Sequence, residues 1–233
     1  MSEAPLQFHA ERPADLRTPT PWHRLSFIVR ELPERIAALA RDLRVQPGGR
    51  VLDYGCADLP YRNLFGDVEY LAVDLPGNPA ANVEIRQDGT LPVEDASVDA
   101  ILSTQVLEHV AAPHVYLAEC ARVLKPGGRM LLSTHGLMVY HPDPDDYWRW
   151  TGAGLQHAVA EAGFAVVRFE GIMGLTATAL QLLQDSIYWR LPPLVRPLLA
   201  LILQTLARLA DRFDSDEARA SNALVYALVA ERP

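Results

Sequence analysis

From residue 50 onward, short apolar runs alternate with stretches of helical period. Residues 51–52, 70–73, 83–85, 98–103 and 130–133 are the apolar runs and predict strands. The clearest helix between them spans about 113–124. It opens on Pro113, suited to a first helical position, and closes at Lys125-Pro126-Gly127-Gly128. A second helix spans about 154–162, with Thr151 as its N-cap and Gly163 as its stop. Residues 164–169 and 223–230 read as two further strands. Upstream, residues 22–43 space Leu25, Ile28, Val29, Leu32, Ile36, Leu39, Ala40 and Leu43 as one helical face. Pro33 interrupts that face and predicts two helices or a kink. Residues 175–212 are Leu-rich and helical, broken at Pro192-Pro193 and Pro197. Residues 214–221 read as a polar connection, and residues 1–21 as an irregular arm rich in Pro.

Strand–helix alternation of this kind predicts an α/β fold, a mostly parallel sheet with helices on both faces. The division that follows is an arm and helical lid over 1–44, a core over 45–174 and 222–233, and a helical insertion over 175–221. The lid reading rests on Trp22, His23 and Phe27, whose alternative is packing against the sheet.

Composition narrows the function. The chain has 233 residues, 49% hydrophobic and 21% charged, an ordinary globular make-up. A net charge of -8, with no run of Arg, argues against nucleic acid as a partner. Two cysteines, Cys56 and Cys120, are too few for a disulfide framework or a cysteine zinc site. Residues 1–20 lack the apolar stretch of a signal peptide, and the longest apolar run, 198–203, is too short to cross a bilayer. The expected location is the cytoplasm.

The chemistry concentrates at strand ends. The run Val51-Leu52-Asp53-Tyr54-Gly55-Cys56-Ala57-Asp58 is a strand that ends in an acid and a Gly turn. A second acid, Asp74, ends the next strand nineteen residues after Gly55. From there a carboxylate can bond the hydroxyls of a ribose. A dinucleotide fingerprint would need glycines at 57 and 60, where Ala57 and Pro60 stand. Pro60 also lacks the N–H that a pyrophosphate needs. A nucleoside ligand without phosphates suits this loop better than NAD.

These residues resemble the class I methyltransferases that use S-adenosylmethionine (SAM), of the type 11 kind. The likeness covers roughly residues 45–170. It rests on the 51–57 motif, on Asp74, and on Gln87-Asp88-Gly89 with the following Leu91-Pro92-Val93 and Ser97-Val98-Asp99. It also rests on Val106-Leu107-Glu108-His109-Val110 and on Arg122-Val123-Leu124-Lys125-Pro126-Gly127-Gly128-Arg129. The resemblance implies a Rossmann-like, seven-stranded sheet with an antiparallel last strand. It implies that Asp53 and Gly55 hold the methionine end of SAM, with Cys56 and Ala57 beside the cofactor in the same loop. Asp74 would bond the ribose, Leu75 would pack on the adenine, Asp88 and Gly89 would lie at its edge, and Gln105 would line the methionine pocket. The product would be S-adenosylhomocysteine.

Methyl transfer to a hydroxyl calls for a base beyond the ends of strands four and five. His135, His109 and His141 are the candidates, in that order. The stretch from His141 to Trp150 gathers acids, aromatics and an Arg ahead of a helix. Asp146, Tyr147, Trp148 and Arg149, with Trp22 and His23, are the candidate contacts for the acceptor. This stretch resembles a segment of methyltransferases from bacterial polysaccharide and secondary-metabolite clusters. No metal site is expected. The Asn/Asp-Pro-Pro-aromatic tetrad of DNA amino-methyltransferases is absent, Ser103-Thr104-Gln105-Val106 standing in its place. The expected reaction is O-methylation of a small-molecule or glycan-type acceptor, with N-methylation and a non-catalytic SAM-binding module as alternatives. The 175–212 region, whose Leu194, Leu198, Leu201, Ile202 and Leu209 form one apolar face, is open to four readings: a helical subdomain packed on its own core, a homodimer interface, a cover over a greasy substrate, or a peripheral membrane contact.

Overall fold

The structure is a computed structural model that describes residues 18–142 and 145–233. Most of the expected arm, and Asp143 and Pro144 of the acidic stretch, lie outside the described residues. Seven strands form one sheet: β1 (Arg50–Tyr54), β2 (Glu69–Asp74), β3 (Val83–Glu84), β4 (Val98–Thr104), β5 (Leu124–His135), β6 (Ala165–Gly174) and β7 (Ala223–Glu231). Their order is β3-β2-β1-β4-β5-β7-β6. All neighbouring pairs are parallel except those of β7, which runs antiparallel to both β5 and β6. This is the Rossmann-like sheet of the sequence reading, with 223–230 inside β7 and the expected 164–169 strand beginning one residue later and running on to Gly174.

Alternating side chains feed two cores, one on each face. Leu52, Ile101, Met130 and Leu132 join the core beneath α2 (Pro113–Val123) and α3 (Gly152–Glu161). Val51, Ala100, Leu102 and Leu131 join the opposite core, with Leu32, Ile36 and Leu39 of α1 (Ile28–Ala40). Strands buried on both faces read as continuous apolar runs, so the sequence revealed them.

Four elements differ from expectation. The helix α1 continues through Pro33 rather than dividing there. The ring removes only one helical N–H, and the buried face on both sides of it keeps the helix on the sheet. The Lys-Pro-Gly-Gly turn lies within β5: after Val98 pairs with Leu124, the next partner pair is Ala100 with Arg129. The chain bulges between them, where Gly127 takes φ +76° and Lys125 Nζ donates to Asp99 at 2.7 Å. Pro197 sits in the first turn of its helix, where its missing N–H costs nothing. The expected polar connection contains a short helix, α6 (Asp216–Ser221), capped by the Ser215 side chain on Ala218 N.

Between β6 and β7 the chain makes α4 (Leu175–Tyr188) and α5 (Arg196–Asp211), a helical hairpin. The 22–27 segment docks on this hairpin. Phe27 N donates to Gln204, Gln181 and Gln184 donate to Arg24 O, and Arg24 pairs with Asp185 at 3.0 Å.

Candidate active site

The chain runs outward from β1 through β2 to β3, then returns to β4 on the other side of β1. Ligands in such sheets bind at the carboxyl ends of the strands where the direction reverses. Here the turn after β1 meets the turn after β4. A Cβ on Gly55 would lie 2.5 Å from Val106, and its φ is +74°. Both observations require glycine at 55. Ala57 and Leu59 also hold positive φ, 45° and 59°, where a glycine would be unstrained. This loop keeps backbone accessible without the donors of a phosphate cradle. Its nearby charges are carboxylates, a set that fits a sulfonium and an ammonium.

Asp53 is buried at the end of β1, and Tyr70 donates to it at 2.6 Å. Burial pushes its carboxyl up to about 7, the Tyr70 hydrogen bond pulls the other way, and the negative charge of Asp74 adds to the rise. Asp74 closes the loop from the end of β2. Its Oδ2 accepts from Ala57 N at 2.8 Å and Asn78 Nδ2 at 2.7 Å, and its Oδ1 accepts from Leu75 N at 2.8 Å. Asn78 also donates to Ala57 O at 2.8 Å, an organiser that no sequence motif marked. Cys56 is buried beside them, and burial and the two acids hold its thiol well above the usual range. It is therefore a packed thiol rather than a nucleophile. Leu75 packs on the core edge, partly buried. Asp88 is exposed and accepts from Thr90 N and Oγ1, which hold its carboxyl below the ordinary range. Gly89 follows with φ +82°, its carbonyl facing the Tyr54 hydroxyl. Gln105 takes φ +56° after β4 and donates to Ser133 Oγ at 3.1 Å.

A second cluster stands at the ends of β4 and β5. The rings of His109, His135 and His141 lie 5.9–6.3 Å apart, centroid to centroid. The sequence reading grouped these three, and the fold brings them together. It missed Glu108, which is completely buried between them. Thr134 donates to Glu108 Oε2 at 2.7 Å, and His135 Nε2 lies 3.2 Å from Oε1. His109 Nε2 stands farther off, at 3.9 Å. Glu108 was visible in the sequence only as the letter beside His109. An acid followed by a His at a helix start gave no sign of which would turn inward.

Opposite charges in contact would ionise both partners, yet burial opposes both charges. Burial raises Glu108 and lowers His135 to about 3, with Arg149 and the other two histidines adding to the fall. We take burial as the stronger effect, because neither group is exposed to solvent that could screen it. His135 Nδ1 is buried and has no hydrogen-bond partner among the described residues.

Residues 136–142 and 145–150 fold back over this cluster. Tyr147 N and Trp148 N donate to Glu108 O, Trp150 N donates to His135 O, and His109 Nδ1 meets Asp145 O. Arg149 pins the segment with all of its donors: Met138 O, Val139 O and Trp148 O, and both oxygens of Asp146 at 2.5 and 2.6 Å. Asp146 also accepts from His141 N at 2.6 Å. This pair therefore shapes the loop, whereas the rings of Tyr147 and Trp148 stay exposed. Trp22 is half exposed on the hairpin side, and His23 accepts from Leu25 N. Among the described residues no group of three ligating side chains is placed to hold a metal ion.

Residues 52–132 match the family model described as methyltransferase domain. They span the β1 loop, the β2 acid, the β4 turn and most of β5. Over this stretch the chain is similar to SAM-dependent methyltransferases. Over 142 residues it is 34% identical to the ubiquinone biosynthesis O-methyltransferase of Dinoroseobacter shibae, covering 53% of this chain and 54% of that one. The chain thus spans about half the length of that curated relative. The domain also superposes on the SAM-dependent methyltransferase of Mesorhizobium loti with a TM-score of 0.53, at 17% identity, over 84% of this chain and 96% of that one. It superposes on the [4+2]-cyclase SpnF with a TM-score of 0.50, at 18% identity, over 100% of this chain and 87% of that one. The same fold is therefore shared with a protein named for another reaction, and the chemistry of this chain must be argued from its site. Among the described residues no helix is long and apolar enough to cross a membrane.

Proposed function

We propose that the chain transfers a methyl group from SAM to a hydroxyl of a small-molecule or glycan-type acceptor, with the Glu108–His135 pair as its base. The observation that carries this reading is a completely buried carboxylate 3.2 Å from the ring of His135, at the end of the strand beside the cofactor loop. SAM supplies an activated methyl on a sulfonium. Asp74 binds the ribose, Asp53 faces the ammonium of the methionine end, and Gln105 lines the space between.

A lone histidine at about 3 would be a poor base. The pair behaves differently. When Glu108 gives up its proton beside a neutral His135, its Oε1 stands 3.2 Å from Nε2 and Nδ1 keeps its lone pair. That pair carries one negative charge in a buried place, and taking a proton at Nδ1 neutralises it. Burial therefore strengthens the unit as a base while weakening the histidine alone. With SAM bound, the methyl would pass to the acceptor oxygen with S-adenosylhomocysteine as the leaving group, and His135 Nδ1 would take the hydroxyl proton. Tyr147 and Trp148 offer exposed rings on which a sugar or aromatic acceptor stacks.

Calorimetric titration with SAM, S-adenosylhomocysteine and NAD tests the first half. Micromolar binding of the two sulfur nucleosides and none of NAD is expected; absence of sulfur-nucleoside binding overturns the cofactor reading. Asp74→Ala should then lose SAM affinity with the fold intact. For the second half, His135→Ala and Glu108→Gln should each lower turnover about 10²–10⁴-fold while SAM affinity stays within about twofold. Wild-type turnover in either variant would remove the pair from the mechanism.

A further inference from the structure

The α4–α5 hairpin is built inside out. Its buried positions are small or polar: Ala177, Thr178, Gln181 and Gln184 on α4, and Ala200, Gln204, Ala207 and Asp211 on α5. Gln204 is the centre, donating to Gln181 at 2.8 Å and Gln184 at 3.2 Å and accepting from Phe27 N at 2.9 Å. Many of the large apolar side chains point the other way, although Leu180 packs on the sheet core. Leu198, Leu201, Ile202, Leu206 and Leu209 are exposed along one face of α5, and Phe213 beyond it is 90% exposed. The connecting turn presents Trp189 at 64% and Leu194 at 93% exposure. Helices of water-soluble domains put their leucines inward. Small residues and polar side chains joining two helices, with leucines outward, are how helices pack when lipid surrounds them.

Charge selects the occupant. Between Leu175 and Phe213 the two acids are turned inward, Asp185 onto Arg24 and Asp211 onto Arg219. Arg190 and Arg212 are exposed, and Arg196 lies over the Trp189 ring at 5.0 Å. The outward charge of the hairpin is thus wholly positive on a chain of net charge -8. A second copy seated on this face by a two-fold axis would set these arginines against their own kind, with no outward acid on α4 or α5 to pair them. Lipid phosphates would pair them. The 16 residues of α5 make about 24 Å of helix, short of the roughly 30 Å hydrocarbon core, so the hairpin lies in the interface and does not span.

We propose that the outer face of the α4–α5 hairpin docks on an anionic phospholipid bilayer, its leucines and Trp189 entering the interface and Arg190, Arg196 and Arg212 meeting phosphates.

Co-sedimentation of the full chain with phosphatidylcholine vesicles, with and without about one-third phosphatidylglycerol, tests this. Strong binding to the anionic vesicles is expected, weakening as salt is added. Leu198→Glu with Ile202→Glu should abolish it, at an unchanged circular dichroism spectrum and SAM affinity. Arg190→Gln with Arg212→Gln, which leaves the apolar face intact, should weaken it about thirtyfold. Failure of the wild-type chain to sediment with either vesicle overturns the proposal. So does a dimer in lipid-free light scattering that the double Glu variant converts to monomer, because the covering surface is then a second copy.

Discussion

At the scale of single residues, the site is governed by where a charge is allowed to sit. Asp53 and Glu108 are both carboxylates removed from water, and neither has a cationic partner that fully offsets the removal. For Asp53 the sign of the pH dependence follows directly. Its folded value, about 7, lies above the ordinary 3.8, so the native chain holds this proton more tightly than the unfolded chain. The stability this group contributes is present below about pH 4 and is lost as pH rises to about 7. Asp53→Asn keeps an acceptor for Tyr70 without the buried charge. It should raise stability at pH 8 by about 1–3 kcal/mol and change little at pH 5, while weakening SAM binding. Thermal melts at the two pH values check the first part; an equal shift at both would show that the charge is not the cause.

Elements hold these residues by a few polar pins. The 136–150 segment depends on one ion pair, Arg149 with Asp146, since that arginine also ties Met138 and Val139. Asp146→Ala should free the segment, speed its cleavage in limited proteolysis and lower acceptor turnover about tenfold, with SAM affinity unchanged. The hairpin depends likewise on Gln204. Gln204→Leu leaves Phe27 N and the amide oxygens of Gln181 and Gln184 without their partner. The expected cost is about 3 kcal/mol, a fall in Tm of roughly 5–10 °C. An unchanged Tm would mean that the outer leucines, not the amide network, set the hairpin's stability.

At the scale of the whole molecule, cofactor binding and protonation are one equilibrium. The crevice gathers Asp53 and Asp74, and the ligand proposed for it is a cation. Binding should favour the ionised form of Asp53, so protons leave as SAM arrives. SAM affinity is therefore expected to climb with pH below about 7, by at most tenfold per pH unit, and to level off above it. Titrations in two buffers of different ionisation enthalpy would report the released proton. An affinity flat from pH 6 to 8 would separate Asp53 from the methionine end.

The sheet was legible because its strands are covered on both faces: each is a short apolar run, and the strand-end acids and Gly55 punctuate them. Local chemistry likewise marked Thr151 as a cap and the three histidines as a group, and the 19-residue spacing of Gly55 and Asp74 suited a nucleoside. What period and spacing cannot carry is direction. Whether Glu108 or His109 turns inward depends on β5 ending with Thr134 and His135 both within reach of the Glu108 carboxylate. Whether Arg149 meets a ligand or its own loop depends on the carbonyls of Met138 and Val139 coming within reach. The leucines of α5 read as a core face, yet tertiary packing placed Ala200, Gln204 and Ala207 inward, because Phe27 and α4 present polar groups that only amides satisfy. The sequence alone determined the strands, their punctuation and the kind of ligand; the tertiary structure decided which charges are buried, which are paired and which apolar face is left for a partner.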